Sequence, residues 1–322
     1  MTDLEKAARV PSDTSKTPPH STGNSSPPGT HTQQSAKECF DRALQFDDAG
    51  KHADALTWYH KAADHGYAAA QVILGWHCHT GDGMTQDDAE AVRWYRMATD
   101  QDYAPAQYKL GIAYRDGYGV AQDDAKAARW YRLAADQEHA PAQFMLGWMY
   151  NNGRGVPQDE SAALRCYRLA ANQGHAVAQV ILGWHYHTGK GVPRDAIEAV
   201  RWYRLAADQG DAVAQQSLGR IYRDGDGIPQ DYAIAADWFR LAAEQGRADA
   251  QDDLACSYRD GNGVPQDDVL AYMWFTLSAS HSSEAELPNT VKHRDLIAQR
   301  ITPEQITKAQ RLAQEWHAAH PR

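Results

Sequence analysis

The stretch AQYKLGIAYRDGYGVAQDDAKAARWYRLAADQEHAP at residues 106–141 is followed at 142–177 by AQFMLGWMYNNGRGVPQDESAALRCYRLAANQGHAV, which repeats its pattern position by position. Working outward in both directions, six copies of this 36-residue pattern fill residues 70–285 without a gap. Five copies carry a glycine after the central leucine, at Gly75, Gly111, Gly147, Gly183 and Gly219. Self-similarity at a fixed period of this length is typical of solenoids. The sequence therefore predicts stacked repeats rather than one globular core.

Each unit reads as two α-helices, here called helix A and helix B. In helix A of the first unit, Ala70 and Leu74 lie four residues apart and share one face, and in helix B Ala91 and Trp94 lie three residues apart and also share one face. An all-α fold with these stripes buried is expected. Gly75 inside helix A costs about 1 kcal/mol relative to alanine, so we expect it to let the neighbouring helix approach closely.

The loop between the helices repeats a pattern such as TGDGMTQD at residues 80–87. Its glycines permit left-handed backbone after helix A. One aspartate per loop is placed to cap the first amides of helix B: Asp87, Asp123, Asp159, Asp195, Asp231 and Asp267. Asp87 with Glu90, and Asp195 with Glu198, resemble capping boxes. Calcium binding by these loops is disfavoured because the EF-hand spacing is absent.

The two ends of the chain differ from the middle. Residues 1–35 are rich in Ser, Thr and Pro and predict a disordered arm, either a solvated tail or a targeting segment. Residues 36–69 predict an N-terminal capping helix pair without the GxG loop. Residues 286–322 predict two C-terminal capping helices, the last one opened by Thr302 with Gln305 closing a capping box. We expect Trp316 to pack back on the repeats.

The repeated pattern AQxxLGxxYxxGxGVPQDxxxAxxWYRLAAxQG resembles that of the Sel1-like repeat family, relatives of the tetratricopeptide repeat. The resemblance covers residues 70–285, and residues 36–69 look closer to an ordinary tetratricopeptide repeat. It departs at Cys166, Ala255 and Met84, which replace the tryptophan, the glycine and the valine. The resemblance implies a right-handed superhelical α/α solenoid whose concave groove serves as an adaptor or scaffold for other proteins.

Composition narrows the choice of partner and compartment. The formal net charge of −10 argues against general nucleic-acid binding, which draws its affinity from a basic surface, so a basic or mixed-charge protein partner is expected. The four cysteines show no CxxC spacing, and the sequence holds neither an 18-residue apolar run nor a Sec signal. A cytoplasmic protein without a membrane span is expected, with secretion by a non-Sec route as the alternative.

Catalytic motifs give no positive signal. The chain lacks the Walker, SxxK and GxSxG patterns, so we expect no catalytic residues and no cofactor. His77 with His79, and His185 with His187, form two HxH pairs in units that match at about two-thirds of their positions. Residues two apart on a helix point in nearly opposite directions, so neither pair can bind one metal ion from one face. We expect structural or surface histidines and no metal site.

The predicted partner-binding groove follows the helix A positions that flank the core stripe and vary between units. These candidates are Val72, Trp76 and His79; Tyr108, Ile112 and Arg115; Phe144, Trp148 and Asn151; Val180, Trp184 and His187; Gln216, Arg220 and Arg223; and Asp252, Cys256 and Arg259. Tryptophan and arginine are the residues that interface hot spots favour. The tryptophans are either exposed in the groove or packed between repeats.

The leading hypothesis is a scaffold that binds another protein or a peptide. The alternatives are an exported bacterial effector that engages a host protein and, least favoured, a hydrolase acting on a cell-wall-like substrate.

Overall fold

The computed structural model of the chain describes residues 30–281 and 287–320. These residues form sixteen α-helices and no β-strand. In chain order the helices are α1 (Thr30–Asp48), α2 (His52–Asp64), α3 (Ala68–Thr80), α4 (Asp88–Thr99), α5 (Ala104–Asp116), α6 (Asp124–Asp136), α7 (Ala140–Asn152), α8 (Glu160–Asn172), α9 (Ala176–Thr188), α10 (Ala196–Ala207), α11 (Ala212–Asp224), α12 (Tyr232–Glu244), α13 (Ala248–Asp260), α14 (Asp268–His281), α15 (Leu287–Ala298) and α16 (Pro303–Ala319).

The chain divides into two compact units, Met1–Asp159 and Glu160–Arg322. In the first unit each helix packs against the next one along the chain, from α1 against α2 through α6 against α7. In the second unit the same succession runs from α8 against α9 through α14 against α15, and α16 packs on α14. Helix A of the repeats is α3, α5, α7, α9, α11 and α13, and helix B follows each of them. This arrangement of helix pairs is an all-α solenoid, which confirms the predicted fold class.

The recurrent helix A glycine is where the aromatic side chain of helix B touches the backbone. A methyl group added at Gly111 would lie 2.6 Å from the ring of Tyr131, and one at Gly75 would lie 2.5 Å from the ring of Tyr95. Both rings are buried, so neither can move aside. The expectation that the glycine permits a close helix approach is confirmed, and the approaching helix is the partner within the same repeat.

Replacing Gly111 by alanine should therefore destabilise the protein although alanine is the better helix former. We expect a net loss of about 1–3 kcal/mol in the free energy of unfolding, because overpacking against the Tyr131 ring outweighs the gain in helix propensity. Urea denaturation followed by circular dichroism measures it. The conservative comparison is Ala89→Gly, an exposed site on α4 that should lose only about 1 kcal/mol. An unchanged or increased stability of Gly111→Ala would contradict the packing argument.

A buried glutamine near the start of helix A links consecutive repeats. In the second unit, Gln179 donates its side-chain amide to the carbonyl oxygen of Ala171 at 3.0 Å and accepts a hydrogen bond from Gln209 at 2.8 Å. Ala171 belongs to the preceding helix B and Gln209 follows the next one. Equivalent bond pairs are formed by Gln71 with Ala63 and Gln101, and by Gln215 with Ala207 and Gln245. These glutamines fix the register between neighbouring helix pairs.

Substituting Gln179 by leucine should cost about 1–3 kcal/mol of stability, because it removes two side-chain hydrogen bonds at a buried position and leaves the Ala171 carbonyl with only the Gly174 amide as donor. Gln209→Ala is the control, since Gln209 is exposed and water can replace its amide. We expect its cost to stay below about 1 kcal/mol. Urea denaturation measures both losses in the free energy of unfolding. Equal losses in the two variants would show that the buried hydrogen bond contributes no more to stability than the exposed one.

The loops show the predicted left-handed glycine and five of the six predicted aspartate caps. Gly117 ends α5 in the left-handed conformation (φ 76°), and Asp123 accepts a hydrogen bond from the Lys126 amide at 2.9 Å. Four further aspartates cap their helices in the same way: Asp87, Asp195, Asp231 and Asp267. The cap at Asp159 stays a prediction.

The two expected capping boxes are formed only in half. Asp87 accepts from the Glu90 amide, but the Glu90 carboxylate accepts from Arg93 instead of returning to the Asp87 backbone. Asp195 and Glu198 show the same arrangement, with Arg201 as the carboxylate's partner. An arginine three residues along the helix competes for the carboxylate because residues at that spacing are neighbours on the helix surface.

At the C-terminus the predicted helices and the Thr302 capping box are present. The Thr302 hydroxyl accepts from the Gln305 amide, and the Gln305 side chain accepts from the Thr302 amide. Trp316 on α16 packs edge-on against Trp274 of α14 with ring centroids 6.1 Å apart, as expected. At the other end α1 begins at Thr30, inside the expected arm, and residues 1–29 of that arm lie outside the described residues.

Candidate protein-binding surface

The nine groove candidates of the first unit lie on α3, α5 and α7 at intervals of 36 residues. Eight of them are half-buried. Val72 is the exception, because it packs into the apolar core of this unit and is 8% exposed. Val72 is therefore a core residue, and the prediction that it lines a groove is wrong. The other eight are called the helix A surface of the first unit: Trp76, His79, Tyr108, Ile112, Arg115, Phe144, Trp148 and Asn151.

His79 is held from two sides on this surface. Its Nδ1 lies 2.6 Å from the carboxylate of Asp88, and its ring stacks on Tyr118 with centroids 3.9 Å apart. Tyr118 belongs to the loop of the next repeat. His79 thus helps to join two repeats, and its exposed edge is the part that a partner could reach.

Three arginines of these surfaces are each paired with the aspartate that follows them in the sequence. Arg115 donates to both carboxylate oxygens of Asp116 at 2.7 and 2.6 Å, and this guanidinium lowers the pKa of Asp116. The same doublet recurs as Arg223 with Asp224 and as Arg259 with Asp260. Bidentate pairing fixes the plane of a guanidinium. The recurring sequence YRDG was a signal for these pairs that sequence reasoning missed.

Among the apolar candidates of the second unit, Trp184 is the exposed one. The side chain is 43% exposed, and the ammonium of Lys190 lies 5.4 Å from its ring centroid. At the equivalent place in the first unit, Trp148 is half-buried with Arg154 over its ring at 5.4 Å. The tryptophans therefore differ: Trp184 is exposed, whereas Trp76 and Trp148 are partly covered.

The helix A surface of the second unit consists of Val180, Trp184, His187, Arg220, Arg223 and Arg259. Gln216, which was also expected on it, is buried (3% exposed) because its side chain donates to Asp253 at 2.9 Å. That expectation is wrong.

Asp253 organises the arginines of this surface. Its carboxylate accepts from Arg220 at 2.9 Å and from Arg223 at 2.7 Å, which joins α13 to α11. The aspartate is 8% exposed, whereas Arg220 remains exposed. Sequence reasoning missed Asp253, although an aspartate at a position held by Ile73 and Ile181 in other repeats was an available signal.

A double-mutant cycle should show that Arg223 interacts more strongly with the buried carboxylate of Asp253 than with the exposed carboxylate of Asp224. For Arg223→Ala combined with Asp253→Ala we expect a coupling free energy of about 1–3 kcal/mol, because the hydrogen bond is charge-assisted and shielded from water. The matched cycle pairs Arg223→Ala with Asp224→Ala, an exposed aspartate, and should give less than about 1 kcal/mol. Unfolding free energies from urea titrations supply both values. Equal couplings would refute the distinction.

The last repeat presents Asp252 and Cys256 to helix α15 rather than to an open groove. His293 on α15 places its Nδ1 3.9 Å from a carboxylate oxygen of Asp252. Burial raises the pKa of the Cys256 thiol to about 12 and also raises the pKa of Asp252. Both residues are therefore corrected from the predicted groove to a contact with the C-terminal cap.

One histidine of each HxH pair contacts the backbone of the loop that follows it. His77 and His185 are buried, and each places Nδ1 within 2.8 Å of a loop carbonyl oxygen, that of Asp82 or Lys190. They brace the loop that follows helix A.

A family model for the Sel1 repeat matches seven stretches of the chain, at residues 51–67, 68–103, 104–139, 140–175, 176–211, 212–246 and 248–283. The chain belongs to the Sel1 repeat family. The first match falls within residues 36–69, so the Sel1 pattern reaches into the N-terminal pair that looked closer to a tetratricopeptide repeat. No curated protein sequence matches this chain.

The chain is also similar to solved structures of other proteins. The Sel1 repeat protein from Oxalobacter formigenes is 30% identical over 76% of this chain and 98% of its own, with a TM-score of 0.65. The protein c5321, a protective antigen present in uropathogenic Escherichia coli strains, is 25% identical over 89% of this chain and 85% of its own, with a TM-score of 0.34. Immunity protein Pa5087 from Pseudomonas aeruginosa is 20% identical over 69% of this chain and 83% of its own, with a TM-score of 0.42.

Sel1 repeat proteins generally mediate protein–protein interactions, and this scaffold is typically non-enzymatic. Across residues 30–281 and 287–320, no helix combines the length and the apolar character needed to cross a membrane.

Proposed function

We propose that this Sel1 repeat chain is a scaffold that binds a partner protein or peptide on the helix A surface of its second unit. The observation that carries the proposal is Trp184. Of the ten tryptophans in the sequence, all within the described residues, it alone is exposed. A tryptophan that gives up burial leaves a large apolar surface in water, and covering that surface with a partner recovers the lost free energy.

The surroundings of Trp184 supply polar groups for recognition. Lys190 stands over the indole ring, and in the same unit Arg220 is exposed on α11. Arg223 is held in place by Asp224 and Asp253, so a partner would lose little side-chain entropy by binding it. An apolar anchor beside fixed arginines is the arrangement found in binding hot spots.

These groups favour a particular partner chemistry. The exposed cations Lys190 and Arg220 favour carboxylates, and the indole favours an apolar side chain between them. Because Asp224 and Asp253 already neutralise part of the local charge, the fitting partner segment is mixed in charge rather than strongly acidic. A cytoplasmic location is part of this proposal and rests on the cysteine pattern of the sequence.

Trp184→Ala should weaken partner binding by about tenfold or more while leaving the helical circular dichroism unchanged, because the substitution removes an exposed anchor rather than a buried core residue. The partner is first identified by affinity capture from native lysate and mass spectrometry, and dissociation constants are then measured by calorimetry. Ile197→Ala is the matched control, since Ile197 is an apolar side chain on helix B that is 72% exposed.

The control should bind as the unchanged protein does. If Ile197→Ala weakened binding while Trp184→Ala did not, the partner would bind the helix B side, and the assignment to the helix A surface would be refuted. Binding unaffected by either variant would remove Trp184 as the anchor.

A further inference from the structure

Three potential metal ligands meet between the last repeat and the C-terminal cap of the second unit. Asp252 and Cys256 lie one turn apart on α13, and His293 lies on α15. A carboxylate oxygen, the thiol sulfur and an imidazole nitrogen all fall within 4.8 Å of one another. Spacing of four residues puts two ligands on one helix face, which the HxH pairs do not achieve. The third ligand comes from a different helix, so no local sequence motif predicts the set.

One atom in each of two of these groups is left without a hydrogen bond. One carboxylate oxygen of Asp252 and Nδ1 of His293 are shielded from solvent and have no partner within the described part of the chain. They face each other at 3.9 Å, which is longer than a hydrogen bond. Unpaired buried polar atoms are costly and rare. A cation between the two atoms would satisfy both at once.

The separations between the ligand atoms agree with the dimensions of a small transition-metal site. Cys256 Sγ lies 4.0 Å from the second oxygen of Asp252, and the histidine nitrogen lies 3.9 Å from the first. In a tetrahedral zinc site with ordinary bond lengths, ligand atoms are about 3.3–3.8 Å apart. All three ligand atoms lie within 4.8 Å of one another, so side-chain shifts of about 1 Å would bring the groups into coordination. The ring of Phe275 packs beside His293 with centroids 5.5 Å apart and supports the imidazole.

We propose that Asp252, Cys256 and His293 bind Zn²⁺, with water in the fourth position. Thiolate, imidazole and carboxylate are the ligands that zinc takes in proteins, whereas calcium and magnesium require oxygen ligands. On binding, the thiol of Cys256 loses its proton to solvent and coordinates as the thiolate.

The position of the site indicates its role. The residues equivalent to Asp252 and Cys256 are Val72 and Trp76 in the first repeat, and no other repeat carries this pair. Two of the three ligands thus belong to the repeat that has no following repeat to cover it. A bound ion joins α15 to α13 and closes the end of the array, which is the task of a capping element. This inference does not rest on the proposed function.

The test uses the full chain after treatment with a chelator. Co²⁺ is added as a spectroscopic probe, and Zn²⁺ is then titrated against it in competition with a chromogenic chelator. We expect one equivalent of Co²⁺ to give a thiolate-to-metal charge-transfer band, Zn²⁺ to displace it, and the thermal midpoint to rise with added Zn²⁺, because the ion binds the folded state. Cys256→Ser should abolish the band, and His293→Gln and Asp252→Asn should each weaken Zn²⁺ binding by about tenfold or more.

Matched controls separate this site from other thiols and histidines of the second unit. Cys166→Ser removes a half-buried cysteine on α8, and His317→Gln removes one of the histidines grouped around Trp316 on α16. Both should leave the band and the affinity unchanged. Circular dichroism of each metal-free variant establishes that it is folded, and Asp252→Asn gives a second, nearly isosteric variant if Cys256→Ser is unstable.

Several results would overturn the proposal. One is the absence of stoichiometric Zn²⁺ binding by the folded chain. Another is Zn²⁺ binding that persists in Cys256→Ser but is lost in His317→Gln, because the ion would then bind the histidines near Trp316. A cobalt spectrum without the charge-transfer band would exclude Cys256 as a ligand.

Discussion

Each repeat closes where the aromatic ring of helix B lies on the backbone of helix A. The contact requires that helix A have no side chain at that point, which is why glycine recurs at Gly75, Gly111, Gly183 and Gly219 despite its cost to the helix. In a close-packed interior, one added methyl group against a buried ring forces the helices apart. The close packing of the two helices within a repeat depends on this approach.

The buried glutamines form hydrogen bonds between consecutive repeats and thereby fix the register in which the repeats stack. Gln179 reaches backward to the carbonyl of Ala171 and is held by Gln209 of its own repeat, so a displacement of one pair relative to the next would leave buried polar groups unpaired. Apolar contacts alone tolerate such shifts more easily, because they have little directionality. The regular spacing of the helix A surface within each unit depends on these directional bonds.

The helix A positions share a register but not a role. Val72 is part of the core, His79 joins two repeats, and Cys256 faces the C-terminal cap, while Trp184 and Arg220 remain open to a partner. A repeated scaffold thus supports different uses at equivalent places, because each side chain meets a different neighbour. In the proposals made above, recognition and metal binding lie on different parts of the second unit and can be lost independently.

The sequence alone determined the helix pairs, their 36-residue period, the loop geometry and most of the caps. These features depend on residues close together along the chain, and their signals are local: apolar spacing, left-handed glycines and an aspartate before helix B. The alternation of helix A and helix B along the chain could be predicted for the same reason. The Glu90 carboxylate shows the limit of this reasoning, because its bond to Arg93 competes with the capping box that the sequence suggested.

Only the tertiary structure decided which helix A side chains are available. Trp184 is exposed whereas Trp148 is half-buried, Val72 is buried, and Asp253 has two arginine partners. These properties depend on residues about 30 or more positions away along the chain, so no local sequence pattern predicts them. The meeting of Asp252 and Cys256 with His293 is the extreme case, since it requires the path of the chain between α13 and α15. Local spacing fixes each helix, but a site made from several helices exists only after they have packed, because packing sets the distances between their side chains.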